Sequence, residues 1–184
     1  DDEVAAAILA PLRALRPEID TFTRVPADSL VRLHMDPEGP TPGVSASSML
    51  AELPSAAIDA FIEAAGPGSG SVLLAAELRQ LGGALGRPAD GAGALPSLDG
   101  QFVLFGVAIA PEPELARVGR RHAERLVSAL QPWTAHQQYL NFVEEPTDAA
   151  SGFRPENWAR LRSIRDAVDP DGVFHANHPV PRTR

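Results

Sequence analysis

The segment from Gln101 to Leu130 constrains the fold of this 184-residue chain more than any other. Its first part, Gln101–Ile109, is a run of mostly apolar, β-branched and aromatic residues that is typical of a buried strand, and Pro111 ends it. Pro113 suits the first position of a helix, and apolar residues recur at helical spacing from there until Pro132. The segment therefore predicts a strand followed by an amphipathic helix, with a core face formed by Leu115, Val118, His122, Leu126 and Leu130.

The rest of the chain predicts further elements separated by proline and glycine. Further helices are predicted at residues 2–15, 47–53, 55–65 and 155–168, further strands at 21–25, 71–79 and 139–143, and a strand or helical turn at 29–35. Residues 36–45 and 82–100 are rich in proline and glycine, which predicts loops. In the helix that begins at Pro155, the predicted inner face is Trp158, Leu161, Ile164 and Val168.

These strands are too few and too widely spaced for the repeated βαβ units of a parallel doubly wound sheet. We therefore predict an α+β fold in which helices cover one face of an antiparallel sheet, with a C-terminal strand-helix tail. One domain is expected to span residues 1–184. The first residue is Asp1 rather than Met, and helical spacing begins almost at once, so we expect the chain to be part of a longer protein.

Composition excludes several classes of partner and chemistry. The net charge of -8 would repel a phosphate backbone, so we expect no nucleic acid partner. No run approaches the roughly 18 apolar residues of a membrane span, and no signal segment is present, so we expect no membrane partner and favour the cytoplasm. The chain contains neither cysteine nor lysine, which excludes thiol nucleophiles, disulfides and Schiff bases.

Three short patterns are better explained by structure than by chemistry. Gly66–Ser71 lacks the last glycine of a dinucleotide fingerprint and precedes a strand, which favours a plain turn. His175 and His178 lie near Asp171, but there is no H-E-x-x-H pattern, so we predict no metal site. The acidic residues Glu144, Glu145 and Asp148 are typical of a solvated loop.

Tyr139 and Asn141 are the strongest candidate site residues. Tyr139 is the only tyrosine, and an amide two residues further along a strand would project from the same face. Such a face can line a cofactor or substrate site. Taken alone, however, a tyrosine in a strand is more often a packing residue whose hydroxyl has a hydrogen-bond partner.

The order of three C-terminal motifs resembles the signature of the berberine-bridge-enzyme-like FAD-linked oxidases, in the vanillyl-alcohol-oxidase superfamily. The motifs are Tyr139-Leu-Asn141, then Trp158-Ala-Arg160-Leu161, then Asp169-Pro170 with Phe174. Two earlier stretches, Leu33–Pro37 and Glu77–Ala84, are similar to the substrate domain of that family.

The resemblance implies that this chain is the substrate domain and C-terminal tail of a larger flavoenzyme, whose N-terminal FAD module is a missing partner. It implies FAD as the cofactor of the longer protein rather than of this chain alone. The reaction would be hydride transfer to flavin from a small-molecule substrate, an alcohol, sugar or secondary metabolite. Tyr139 would be the catalytic base, and Asn141 would orient the flavin.

Another interpretation is a stand-alone α+β module that binds a ligand or dimerises without catalysis. It gains support because these 184 residues contain no complete catalytic set. A substrate domain without its flavin module would expose an apolar sheet face, and we therefore expect that a homodimer can form through such a surface.

Overall fold

The computed structural model describes residues 1–33 and 38–183 and divides the chain into two compact units, Asp1–Gly39 and Pro40–Arg184. The prediction of one domain over residues 1–184 stays a prediction. Four residues of the predicted Leu33–Pro37 motif, residues 34–37, lie outside the described part of the chain.

The first unit contains helix α1 (Asp2–Ala14), as predicted, and a 3-10 turn at Ala27–Arg32. The Asp1 side chain accepts a hydrogen bond from the backbone N–H of Val4 and so caps α1. The strand predicted at residues 21–25 does not form. Instead, the Asp20 carboxylate accepts from the N–H of Phe22, two residues ahead, and this local bond favours a turn over an extended ladder.

The second unit is built on a three-stranded antiparallel sheet, which confirms the predicted α+β class. Its strands are β1 (Gly43–Leu50), β2 (Ala75–Gln80) and β3 (Phe102–Ile109). Their spatial order is β1-β3-β2, so the strand with the clearest sequence signal lies in the centre and pairs with both others.

Three helices complete the second unit: α2 (Ser55–Ala65), α3 (Pro113–Ala129) and α4 (Pro155–Val168). All three begin and end close to the predicted positions, because a proline at or before the first turn and a turn signal after the last one mark them in the sequence. Within residues 1–33 and 38–183, every helix is too short or too polar to span a bilayer.

Two predicted elements of this unit are wrong. The helix predicted at residues 47–53 is instead the end of strand β1, because pairing with β3 from Gly43 to Leu50 overrides the weak local preference of a Ser-Ser-Met-Leu run. The strand predicted at residues 139–143 is a 3-10 turn, Leu140–Phe142, between extended residues. The tail is therefore a turn followed by a helix.

Helix α3 packs against one face of the sheet through small residues. Gly119 and Ala123 are buried, and Gly119 lies directly over Ala108 and Val44. A large side chain at this crossing would hold the helix away from the sheet. The predicted core face was partly right: Leu126 and Leu130 are fully buried, whereas Leu115 is 47% exposed.

Helix α4 is less buried than its apolar spacing predicted. Trp158 and Leu161 are half-buried, and the Trp158 ring stacks on Phe153 with centroids 5.6 Å apart. Ile164 and Val168, predicted on the same inner face, are exposed.

Asp169 is the C-cap residue of α4. The residue is buried, and its carboxylate accepts hydrogen bonds from the backbone N–H groups of Val173 (2.8 Å) and Phe174 (3.3 Å). These N–H groups, the first above all, together with the nearby Arg165 guanidinium, lower the pKa of Asp169 below its ordinary value of 3.8. The Asp-Pro signal thus ends the helix and folds the following segment back.

Gly119→Ala should destabilise the protein. The new Cβ would lie 2.6 Å from the Ala108 Cβ and 3.0 Å from Val44 Cγ2, so α3 would have to shift. Overpacking costs about 1–3 kcal/mol, which outweighs a helix-propensity gain of about 1 kcal/mol. Chemical denaturation would measure the loss, with the exposed Ser128→Ala on the same helix as control. A Gly119→Ala midpoint at or above that of the unmodified chain would contradict the close crossing.

Asp169→Asn should remove a pH-dependent contribution to stability. Because the folded-state pKa is lowered, the carboxylate stabilises the fold fully above its ordinary, unfolded-state pKa of 3.8. That stabilisation is lost as pH falls through the lower folded value. The difference in Tm between the unmodified chain and the variant should thus be constant above about pH 5 and shrink below about pH 4. Asp20 and Asp166 also have lowered pKa values, so only the difference between the two chains isolates Asp169. A difference that persists unchanged into strong acid would refute this role.

Candidate functional site

Tyr139 and Asn141 lie side by side, as predicted, although a turn brings them together rather than a strand. Tyr139 is extended and precedes the 3-10 turn, and Asn141 is in it. The Asn141 side-chain amide donates to the Tyr139 hydroxyl oxygen over 3.1 Å. The tyrosine ring is half-buried while Asn141 is exposed, so the pair meets at the protein surface.

The Tyr139 ring belongs to an aromatic cluster on the sheet face opposite α3. Its centroid is 5.5 Å from that of Phe142, which in turn meets Phe105 of β3 edge-on at 5.4 Å. Arg79 of β2 places its guanidinium 5.1 Å from the Phe142 ring centroid and pairs with Glu77 at 2.7 Å. These contacts fix the rings against the strands, as edge-on aromatic pairs and cation–π contacts do.

Two hydrogen bonds to backbone carbonyls hold the turn in place. Ser47 of β1 donates its hydroxyl to the carbonyl of Phe142 over 2.5 Å. A ring nitrogen of His178 lies 2.9 Å from the carbonyl of Val143. The first bond ties the turn to the sheet, and the second ties it to the C-terminal segment.

Gln137 positions this turn and was not predicted from the sequence. It is buried, its Oε1 accepts from the Asp99 N–H (2.9 Å), and its Nε2 donates to the Gly152 carbonyl (3.0 Å). It thereby joins three loops just ahead of Tyr139. No spacing rule marks such a glutamine, because its partners are backbone groups far away in sequence.

The crevice beside Tyr139 accommodates the tyrosine ring and is too small to be a substrate pocket. The crevice lined by Ser47, Met49, Val103 and the turn has a volume of about 10 Å³, close to that of one water molecule. The hydroxyl, in contrast, reaches the surface with Asn141. A substrate would therefore have to meet this hydroxyl on an open surface or against another polypeptide.

A larger groove of about 220 Å³ lies between the 82–100 loop and α4. It is lined by residues 92–94 and by Asn157, Arg160, Leu161 and Ile164, so it contains two residues of the predicted Trp-Ala-Arg-Leu motif. Asn157 donates to the Ala94 carbonyl and holds the loop against the helix. This groove shares no lining residue with the Tyr139 crevice.

Several of the remaining candidates have structural partners. Glu145 forms an ion pair with Arg120, and Asp148 accepts from the N–H of Ala150. Gly66–Gly70 is a turn, as predicted, and its Ser69 carbonyl accepts from Arg125. Among the described residues, no group of three or more histidine or acidic side chains is arranged to hold a metal ion.

Comparison with known proteins gives a family domain and a fold. Residues 138–181 match the family model described as "Berberine and berberine like". This segment contains Tyr139, Asn141, the helix α4 motif and the Asp169 cap. No curated protein matches the chain.

Three solved structures share the fold. BBE-like 1 of Physcomitrella patens has a TM-score of 0.62 and 18% identity, covering 83% of this chain and 33% of its own. Bermuda grass isoallergen BG60 has a TM-score of 0.62 and 17% identity, with coverages of 85% and 38%. A variant of berberine bridge enzyme has a TM-score of 0.58 and 15% identity, with coverages of 77% and 33%.

The chain spans about a third of the length of these structures. Their identities are low, so they establish the fold, while the family model locates the sequence signal in the C-terminal segment. Residues 138–181 are thus similar to the berberine and berberine-like domain, and the resemblance to berberine-bridge-enzyme-like proteins predicted from the sequence is confirmed.

Proposed function

We propose that this chain supplies the substrate side of an FAD-dependent oxidase, with Tyr139 as the base and Asn141 as its orienting partner. The observation that carries the proposal is the hydrogen bond from the Asn141 amide to the Tyr139 hydroxyl at the protein surface. A half-buried ring fixes the position of the oxygen, while the oxygen itself stays accessible. This is the arrangement that a group acting on a neighbouring reactant needs.

The residues present fit one side of a flavin ring but not the whole cofactor. The sheet face near Tyr139 carries half-buried aromatic rings and small side chains, namely Phe105, Phe142, Ser47 and Ala75. A flat ring system can pack against such a surface. Among the described residues, however, no glycine-rich loop leads into a helix N-terminus, the usual cradle for a pyrophosphate. The proposal therefore requires a second module that holds the phosphates.

Within this arrangement, each residue has a defined task. Flavin, when bound, supplies the acceptor for the hydride that leaves the substrate C–H. Tyr139 receives the proton that leaves the substrate hydroxyl or amine, and it is either ionised beforehand or passes on its own proton in the same step. Asn141 occupies one lone pair of the phenol oxygen, which directs the other toward the reactant.

The substrate class follows from this chemistry alone. A hydride and a proton leave neighbouring atoms, so the reactant is an alcohol, a sugar or another small metabolite with a hydroxyl or amine on the oxidised carbon. The 220 Å³ groove beside α4 does not select among these substrates, because it shares no lining residue with the Tyr139 crevice.

In the complete flavoenzyme, Tyr139→Phe should slow flavin reduction by substrate by about two to four orders of magnitude, the usual contribution of a general base. The variant keeps the ring and its contact with Phe142, so the fold and the flavin content should not change. Stopped-flow measurement of the loss of oxidised-flavin absorbance would report the rate.

Asn141→Ala should also slow this step, by a smaller factor, since it removes only the partner of the phenol. Asn177→Ala is a matched control, because Asn177 is an exposed asparagine outside the turn. Equal reduction rates for the Tyr139→Phe variant and the unmodified enzyme would remove Tyr139 from the reaction.

A further inference from the structure

We propose that Gln137 is a positioning residue for the reaction assigned to Tyr139, and that it acts by closing the base of the loop that carries this tyrosine. The inference rests on the proposed function, because it concerns where the phenol oxygen is held. Gln137 lies two residues before Tyr139 and is only 8% exposed, so its side chain does not reach a reactant at the surface. Its effect on the reaction therefore passes through the tyrosine.

The loop at residues 139–150 begins and ends at the same place in the fold. Gln138 and Ser151 flank it, and the Gln138 N–H donates to the Ser151 carbonyl over 2.9 Å. The Ser151 hydroxyl donates to Gln138 Oε1 over 2.8 Å. Beside this pair, Gln137 Nε2 donates to the Gly152 carbonyl over 3.0 Å. We call these four residues the base clamp. Compact loops whose ends are held close together often carry functional side chains.

Gln137 connects the base clamp to a third segment of the chain. Its Oε1 accepts from the N–H of Asp99, at the end of the 82–100 loop, over 2.9 Å. The Asp99 carboxylate in turn pairs with Arg154, the residue before α4, at 3.1 Å. Both bonds of the Gln137 amide are thus made to backbone groups on separate segments. Because a buried amide without partners is costly, these bonds hold the chain at residue 137 in one position.

The base clamp also contacts the turn by direct packing. A Cβ at Gly152 would lie 2.8 Å from Leu140 Cγ, so there is no room for a side chain between these two residues. Leu140 begins the 3-10 turn and lies between Tyr139 and Asn141. A shift of the Gly152 backbone therefore moves the turn, and with it the phenol oxygen and the amide that donates to it.

The position of the phenol oxygen sets its effectiveness as a base. Proton transfer needs the two heavy atoms within about 2.6–3.2 Å, and a misplacement of about 1 Å can slow a reaction about a hundredfold. Ser47 and the Phe142 ring hold the turn on the side that faces the sheet. The base clamp holds the chain where it enters the turn, immediately before Tyr139. Removal of the Gln137 bonds should therefore leave the tyrosine in place but less well aligned.

Hydrogen exchange in the complete flavoenzyme tests the base clamp without reference to activity. Gln137→Met keeps the length of the side chain and removes both hydrogen bonds, so backbone amides at residues 138–152 should exchange faster. Gln131→Met is the matched control, because Gln131 is exposed, and it should leave this segment unchanged. Mass spectrometry of peptic peptides would locate the difference. Thermal melting and flavin content would establish that each variant is folded and contains its cofactor.

A double-mutant cycle tests whether the clamp acts through the phenol. Gln137→Met should slow flavin reduction by substrate by about ten- to a hundredfold. In the Tyr139→Phe background the same substitution should have little further effect, because the hydroxyl that it positions is gone. The substrate Kd, from the concentration dependence of the reduction rate, should stay close to that of the unmodified enzyme. A residue with a merely structural role would instead slow the reaction equally in both backgrounds.

Gly152→Ala approaches the base clamp from its other side and leaves the Gln137 amide intact. Its Cβ should displace Leu140, and it should slow flavin reduction only while Tyr139 is present. Should Gln137→Met fail to fold, the cycle with Gly152→Ala decides.

The outcomes separate this inference from the proposed function. Unchanged exchange at residues 138–152 in Gln137→Met, or equal slowing in both backgrounds, would overturn the inference. A slow Tyr139→Phe variant beside a Gln137→Met variant of normal rate would overturn the inference alone. A Tyr139→Phe variant of normal rate would overturn the proposed function, and the inference with it.

Discussion

The close crossing of α3 over strands β1 and β3 is the constraint on which the second unit depends. Gly119, Ala123 and Gly106 let the helix backbone approach the sheet, and Leu126 and Leu130 then fill the space that remains around Leu50 and Leu104. Protein interiors are packed as densely as organic crystals, so one added methyl group at this crossing would force the helix and the sheet apart. With α3 occupying one face, the other face of the sheet is left for the aromatic cluster and the Tyr139 turn.

The geometry of the candidate site therefore depends on how the C-terminal tail crosses the sheet face opposite α3. Gln137 joins three loops, Ser47 holds the turn against β1, and His178 anchors it to the C-terminal segment. These polar contacts use backbone groups as partners, which makes the position of the turn insensitive to the identity of most of its neighbours. Tyr139 is thereby held firmly by its ring while its hydroxyl remains at the surface. The crevice beside the ring has a volume of only about 10 Å³, so among the described residues the hydroxyl lies at the surface with Asn141.

Sequence patterns predicted the elements that carry strong local signals. The β3 strand and helices α2, α3 and α4 were correct because runs of apolar residues, helical spacing and prolines at the ends all act within a few residues. Strand β1 was missed because Ser47-Ser48-Met49-Leu50 has little β preference of its own, and its extended form comes from the partner strand 50 to 60 residues later, as the pairing of Ser47 with Phe105 illustrates. The turn at Leu140–Phe142 was missed for a similar reason, since the contacts that bend it come from Ser47 and Phe105.

The sequence alone determined the α+β class, the exclusion of thiol and lysine chemistry, and the motif order that resembles the berberine-bridge-enzyme-like family. These properties follow from residue types and short-range spacing, which the chain carries whether or not it is folded. Only the tertiary structure decided that Asn141 donates to Tyr139, that Gln137 supports their turn, and that β3 lies between β1 and β2 in the sheet. Each of these contacts depends on groups from distant parts of the chain, or on a turn that such groups stabilise. A local sequence pattern does not predict which distant groups come into contact.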